Sequence, residues 1–228
     1  MAAIALAAAI VFAALVALGV WQLQRREWKH ALIAQVDARI HAAPVAAPGP
    51  AAWPAIDPRD AYLRIRVDGA FLPGRDTLVQ AVTELGPGWW VLTPLRDARG
   101  FIVLVNRGFV PVHTAPRPPV GIAHVTGLLR VTEPRGGFLR SNDPLADRWY
   151  ARDVAAIAAA RALGPVAPYF IDADAAPAPS PDTPVGGLTV VRFPDNHLQY
   201  ALTWFALALL LAGGMAYVTR AEWRARQE

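Results

Sequence analysis

The run AAIALAAAIVFAALVALGVWQ, from Ala2 to Gln22, and its counterpart LQYALTWFALALLLAGGMAYVT, from Leu198 to Thr219, decide the architecture of this chain. Neither contains an acidic or basic side chain, and each is long enough to cross roughly 30 Å of hydrocarbon at about 1.5 Å per helical residue. Basic residues close both runs, Arg25 and Arg26 after the first, Arg220 and Arg224 after the second. The chain therefore reads as a multi-pass membrane protein with two spans and one domain between them, and the lipid bilayer is its first partner. A cleavable signal would have a basic start, an apolar core of about 7–15 residues and a small-x-small cleavage site. This run has no basic start and ends in Trp21-Gln22-Leu23-Gln24-Arg25-Arg26, so it is expected to be a retained anchor.

Composition narrows the function classes. A chain of 228 residues, less two spans, leaves one domain large enough to bury a core. The net charge of +4 comes from arginines scattered along the sequence and the single lysine, Lys29. Nucleic-acid binding calls for a concentrated basic face, so no nucleic-acid partner is expected, and the charge fits a protein resting against anionic lipid. The absence of Cys excludes disulfides, zinc knuckles, iron–sulfur ligation, thiol nucleophiles and covalent haem attachment. With Met1 and Met215 the only thioethers, a Cu(I) site is excluded as well.

Past the first span (2–22) the helix is expected to continue as an amphipathic extension over 23–40, because Trp28, Leu32, Val36 and Ile40 keep a spacing of four. Residues 41–58, with Pro44, Pro48, Pro50, Pro54 and Pro58, read as an extended Ala/Pro-rich linker that cannot be helical. The domain, 59–195, carries strand patterns at Tyr62–Val67, Thr77–Val82, Trp90–Leu95, Phe101–Val105, Ala123–Val131, Tyr169–Asp172 and Leu188–Arg192. Phe101–Val105 is apolar enough to be buried on both faces, and Asp97-Ala98-Arg99-Gly100 before it reads as a hairpin turn. Glu133 to Arg148 reads as a long exposed loop offering Phe138 and Leu139 to a partner. Asp153 is expected to cap a short Ala-rich helix that ends before Gly164-Pro165. The second span follows at 197–219 and a polar tail at 220–228. The fold class is thus two transmembrane helices flanking a mainly antiparallel β domain, a small barrel or sandwich, with one short helix.

Catalytic signatures are scarce. Ser141 and Ser180 are the only serines, neither in a nucleophile elbow, and no HExxH, Walker loop or complete GxGxxG occurs. Asp143, Asp147 and Asp153 are explained by loop solvation and helix capping. Of the five histidines, His30, His41, His113 and His124 are explained by solvation. His197 is different, because it opens the second span with Tyr200, Ala201, Trp204 and Ala208 following at offsets of three, four, seven and eleven. Two readings stay open at this point. One makes His197 the axial ligand of a haem iron lying on that aromatic face; the other makes it an interfacial histidine solvated by headgroups. Trp21, Arg25 and Trp28 form a second stripe at the same depth, where Arg25 could hold a propionate or a lipid phosphate.

Four pieces in order carry a resemblance. They are Leu18-Gly19-Val20-Trp21-Gln22 with Arg25-Arg26 and Trp28-Lys29; Gly88-Trp89-Trp90-Val91-Leu92-Thr93-Pro94-Leu95; Val105-Asn106-Arg107-Gly108-Phe109-Val110-Pro111; and Pro194-Asp195-Asn196-His197-Leu198-Gln199-Tyr200-Ala201 with Thr203-Trp204. Together they resemble the surfeit-locus (SURF1-like) family of cytochrome c oxidase assembly factors. Asp195 stands where that family commonly has Asn, and Phe109 where it commonly has Trp. The resemblance implies a non-enzymatic assembly factor of haem-copper oxidases that binds haem A and assists its insertion into the catalytic subunit of cytochrome c oxidase. His197 would be the metal ligand, and Tyr200, Trp204, Trp21 and Arg25 would complete the cofactor site. Enzymes of haem A biosynthesis are implied as further partners. It also implies a bacterial inner (plasma) membrane location with the β domain periplasmic and both termini cytoplasmic. Counting Arg25, Arg26, Lys29 and Arg39 against Arg220, Arg224 and Arg226 slightly favours the opposite orientation, but long domains obey that rule poorly. The alternative function is a membrane-anchored β-domain adaptor that binds oxidase or other membrane proteins without haem. A membrane enzyme acting on lipid or haem side chains is the least expected, given so few nucleophiles.

Overall fold

The computed structural model describes residues 2–135, 140–176, 180, 183–189, 195–225 and 227. It divides into two compact units, Met1–Val36 with Val191–Glu228, and Asp37–Val190.

The first unit is a pair of helices. Helix α1 runs unbroken over Ala2–Ile40, span and extension together, and Pro44 soon follows its end. Helix α3 covers His197–Ala225. Both are long and apolar enough to cross a membrane, and their large apolar side chains face outward: Ile10 is 62% exposed and Leu209 72%. A core helix of a soluble protein would bury those residues, so the chain is membrane-anchored by this pair.

The second unit is a small barrel. Its strands are β1 (Val45–Ala46), β2 (Arg64–Phe71), β3 (Thr77–Thr83), β4 (Gly86–Asp97), β5 (Ile102–Val110), β6 (Ala123–Val131) and β7 (Val166–Ala173), in the order β1-β2-β6-β7-β5-β4-β3. A further pairing, Gly69–Phe71 of β2 with Leu95–Asp97 of β4, joins the sheet back on itself and closes a ring of β2, β6, β7, β5 and β4. Closure pairs β2 with β4, and β1 and β3 remain as the terminal strands of the sheet. Ring neighbours are antiparallel except β5 and β7, whose parallel pairing requires the crossover that carries β6 and the short helix α2, Val154–Ala160.

Alternation along the strands makes two cores. Ile65, Val67, Leu95, Val103, Val105, Leu129, Tyr169 and Ile171 pack together on one side of the sheet. On the other, Leu92, Ile102, Leu104 and Phe170 meet Val154 and Ile157 of α2, with Trp149 and Leu163. Strand β5 is buried on both faces, as its unbroken apolar run predicts. The turn before it forms as expected: Gly100 has φ +96° and donates its N–H to the Asp97 carbonyl at 2.8 Å. Asp153 caps α2 by accepting the Ala156 N–H at 3.1 Å, a contact worth about 1 kcal/mol.

Two expectations are corrected. Residues 41–58 are not a free extended linker: Val45–Ala46 pairs in parallel with β2, and Pro50–Ala55 forms a 3₁₀ helix. Trp53 sets its ring edge-on to Phe101 at 5.9 Å and donates its indole N–H to the Pro48 carbonyl, while Ala47 is buried. Tyr169 reaches the same carbonyl from β7 at 2.7 Å. Proline suits the first positions of such short helices, so this composition bends the chain onto the barrel wall. The strand expected at Leu188–Arg192 is not formed at Leu188 and Thr189, and Val190–Arg192 lie outside the described residues. The element that does pair there is Val185, bridged to Phe109. Phe138 and Leu139 also lie outside the described residues. The described part of that loop from 140 onward carries a 3₁₀ turn at Pro144–Ala146 and is followed by Trp149, which pairs with Val79 and donates to Asp147 at 2.7 Å.

Candidate functional site at the helix pair

Five polar residues of the first unit, Gln22, Arg26, His30, Asp195 and His197, meet at the start of α3. Gly19 lets the helices approach closely, since a Cβ there would sit 2.5 Å from the Phe205 ring. Beyond Gly19, Gln22, Arg26 and His30 follow at a spacing of four, so they share one stripe of α1. That stripe meets the start of α3. The Gln22 side-chain oxygen lies 2.8 Å from His197 Nδ1, and because a carbonyl oxygen only accepts, Nδ1 carries the proton. The lone pair of the neutral ring is then on Nε2, which has no partner among the described residues. This is the arrangement of a ligating histidine, whose second nitrogen is oriented by an outer hydrogen bond.

Asp195 anchors the other half of the cluster. One carboxylate oxygen accepts the His197 backbone N–H at 3.1 Å, closing the turn that starts α3. The other accepts from His30 Nε2 at 2.6 Å and lies 3.8 Å from Arg26 Nε. The hydrogen bond from His30, followed by that from the His197 backbone, holds the Asp195 carboxyl below the usual carboxylate range. The residue that departs from the resembled family is thus tied to a histidine and an arginine of α1.

Of the expected site residues, His197 and Trp204, both half-buried, lie on the side of α3 that carries the buried Ala201 and Ala208. The Trp204 indole nitrogen is fully buried and has no hydrogen-bond partner among the described residues. An orphaned buried donor of this kind costs about 1–3 kcal/mol. Tyr200 is 54% exposed, and so are Trp21 (53%) and Trp28 (54%). Arg25 stacks its guanidinium on Trp28, 4.0 Å from the ring centroid, so this stripe forms a cation–π pair and does not join His197. Sequence reasoning missed Gln22, Arg26 and His30. Their spacing of four was the available signal.

No three His, Asp or Glu side chains converge among the described residues, so no site for a bare metal ion is present there. One imidazole suffices for haem, whose porphyrin brings four nitrogens of its own. The free Nε2, the ring-orienting Gln22 and the buried donor below it fit that group. Among the described residues, the barrel offers no comparable chemistry. Its buried Asp172 accepts from Asn106, Arg130, Arg152 and Thr189 at 2.8–3.0 Å, and Glu133 bridges the two arginines, so every charge is answered. Burial pushes the Arg107 guanidinium down, and its N–H groups are occupied by the Pro116 and Arg117 carbonyls. A concavity of about 790 Å³ beside α2 is walled by Ala155, Ala158, Ala159, Val166 and Pro168; its one acid, Asp153, is spent on the helix cap.

The comparisons with known proteins bear on the whole chain. The model of the SURF1 family matches residues 9–209. Surfeit locus protein 1 of Mus musculus is 34% identical over 216 residues, covering 83% of this chain and 67% of its own length. The Homo sapiens protein of that name is 34% identical over 218 residues, covering 84% and 69%. A SURF1-like protein of Monosiga brevicollis is 32% identical over 221 residues, covering 89% and 82%. The match takes in both helices as well as the barrel, and on this ground the chain belongs to the SURF1 family.

Proposed function

We propose that this protein is an assembly factor for haem-copper terminal oxidases, binding haem A at the helix pair and assisting its insertion into the catalytic subunit of cytochrome c oxidase. Membership of the SURF1 family supports the assembly role. The observation that carries the haem reading is the hydrogen bond from His197 Nδ1 to Gln22, which leaves Nε2 free for an axial bond. Bound haem A would supply the redox iron destined for the oxidase. His197 would hold the iron, Gln22 would fix the imidazole tautomer, and Ala201 and Trp204 would receive the macrocycle face. Arg26, beside Asp195, and Arg25, on Trp28, are the cations available to propionates at this end of the pair. Tyr200 and Trp21 would flank the ligand from the exposed side. The protein acts as a carrier and not as an enzyme. Its place is the bacterial inner membrane, with the barrel in the periplasm, both termini in the cytoplasm, and the oxidase subunit and haem A biosynthesis enzymes as partners.

The test is the visible spectrum and haem stoichiometry of full-length protein purified in detergent after co-expression with haem A biosynthesis, wild type against His197→Ala. Haem in the wild type and its loss in the variant at equal protein level is the expected result. A wild type that co-purifies with oxidase subunits but carries no haem would replace this reading by that of a membrane-anchored adaptor.

A further inference from the structure

Arg107 carries a positive charge into the mouth of the barrel. It follows Val105 by two residues on β5, so both lie on the side of the sheet that faces into the ring, away from α2. The Arg107 side chain is 8% exposed, yet the acid it faces, Asp76, stops at 3.8 Å and already accepts from the Thr93 hydroxyl. The Pro116 and Arg117 carbonyls that hold its N–H groups bring no charge, and the Phe71 ring lies 5.7 Å from the guanidinium. Desolvation outweighs Asp76 there and pushes the Arg107 pKa down. A buried cation answered so poorly gains from an anion placed beside it.

The fold leaves room for one. A cavity of about 530 Å³ borders Arg107, walled by Phe71 at the end of β2, Val105 of β5 and Val125 near the start of β6. Its volume is that of a small-molecule site, and barrel mouths are common places for such sites. A second guanidinium, Arg117, lines the cavity, exposed and with no side-chain partner among the described residues. Asp174, the acid in the wall, is taken by Arg64 at 2.5 Å. The cavity thus combines an apolar wall with one spare cation at its surface and one half-answered cation at its base.

We propose that the barrel mouth binds a small monocarboxylate with an apolar body, its carboxylate held by the Arg117 guanidinium and drawn by the buried charge of Arg107, its body lying on Phe71 and Val125. A single negative charge suits the site, because Asp76 and Asp174 would repel a second. The site belongs to the barrel unit and is independent of the haem reading at His197.

The test is a fluorine NMR titration of para-fluorophenylpropionate, and of its uncharged amide, into full-length protein in a non-ionic detergent, with protein-free micelles as the blank. The acid should bind saturably and about tenfold more tightly than the amide. Arg117→Lys keeps the charge and should hold the affinity within about twofold, whereas Arg117→Glu should lower it about tenfold. Arg107→Met should lower it by at least about as much. Should that variant fail to fold, as judged by near-ultraviolet circular dichroism, the exposed Arg117 and the acid–amide comparison still decide. No saturable binding of the acid, equal binding of acid and amide, or an Arg117→Glu protein that binds like wild type would each overturn the proposal.

Discussion

Replacing Gln22 by Leu tests the geometry at its most consequential contact. The side chain is of similar length and keeps the helix surface filled, and the Gly19–Phe205 approach is untouched. What disappears is the acceptor 2.8 Å from His197 Nδ1. As a neutral hydrogen bond it contributes about 1 kcal/mol net, and about 1–3 kcal/mol if the abandoned N–H stays buried. Loss of an outer partner of a ligating histidine typically costs about 10–100-fold in affinity, which agrees with that range. Ferric haem A titrated into the Gln22→Leu protein should therefore bind about 10–100-fold more weakly, with His197 still present and the helices still inserted. Gln22→Glu should act in the opposite electronic sense. A carboxylate facing Nδ1–H strengthens the bond, makes Nε2 a better donor to the oxidised iron and moves the midpoint potential to more negative values. A merely structural Gln22 would move neither the potential nor its sign. If Gln22→Leu binds haem as tightly as wild type and Gln22→Glu leaves the potential unchanged, the orientation argument is refuted.

Asp172→Ala leaves Arg130 and Arg152 buried against each other with Glu133 alone to answer them, so the barrel should lose about 3–5 kcal/mol, an apparent melting decrease of about 10 °C by near-ultraviolet circular dichroism; a decrease under about 2 °C would show that the network is energetically idle. Burial raises the pKa of Asp147, but the hydrogen bonds from Trp149 and Arg161 outweigh it and hold the carboxyl below its ordinary value of 3.8. Its contribution is therefore complete above that value and lost as the pH falls through the lowered one, so the melting-point advantage of wild type over Asp147→Asn at pH 6 should shrink as the pH is taken progressively below 3.8; a constant difference would contradict the assignment. Cysteine placed at the exposed Ser141, in a chain with no cysteine of its own, should react with a membrane-impermeant thiol reagent in intact spheroplasts, and labelling only after lysis would reverse the proposed orientation.

Much of the barrel was legible in the sequence because its strands alternate or are apolar throughout. Ala123–Val131 begins and ends where its pattern does, β5 is buried on both faces, and Asp153 caps α2. Residues 41–58 were not legible, since the same prolines and alanines serve a free linker and a packed 3₁₀ turn. What separates the two is the seat that Phe101 gives Trp53 and the shared Pro48 carbonyl, both supplied by distant strands.

The helix pair divides the same way. Two uncharged runs and a histidine at the mouth of the second are properties of the chain alone, because hydrocarbon thickness sets the length and charge that a span can have. Which face of α1 meets that histidine was not. A helix apolar all round carries no moment to orient it, so the tryptophans Trp21 and Trp28 were as eligible as the Gln22, Arg26 and His30 stripe. At Gly19 the Phe205 ring comes within reach of the α1 backbone, an approach that a Cβ there would block. That close approach turns Gln22 toward His197, 175 residues further along the chain.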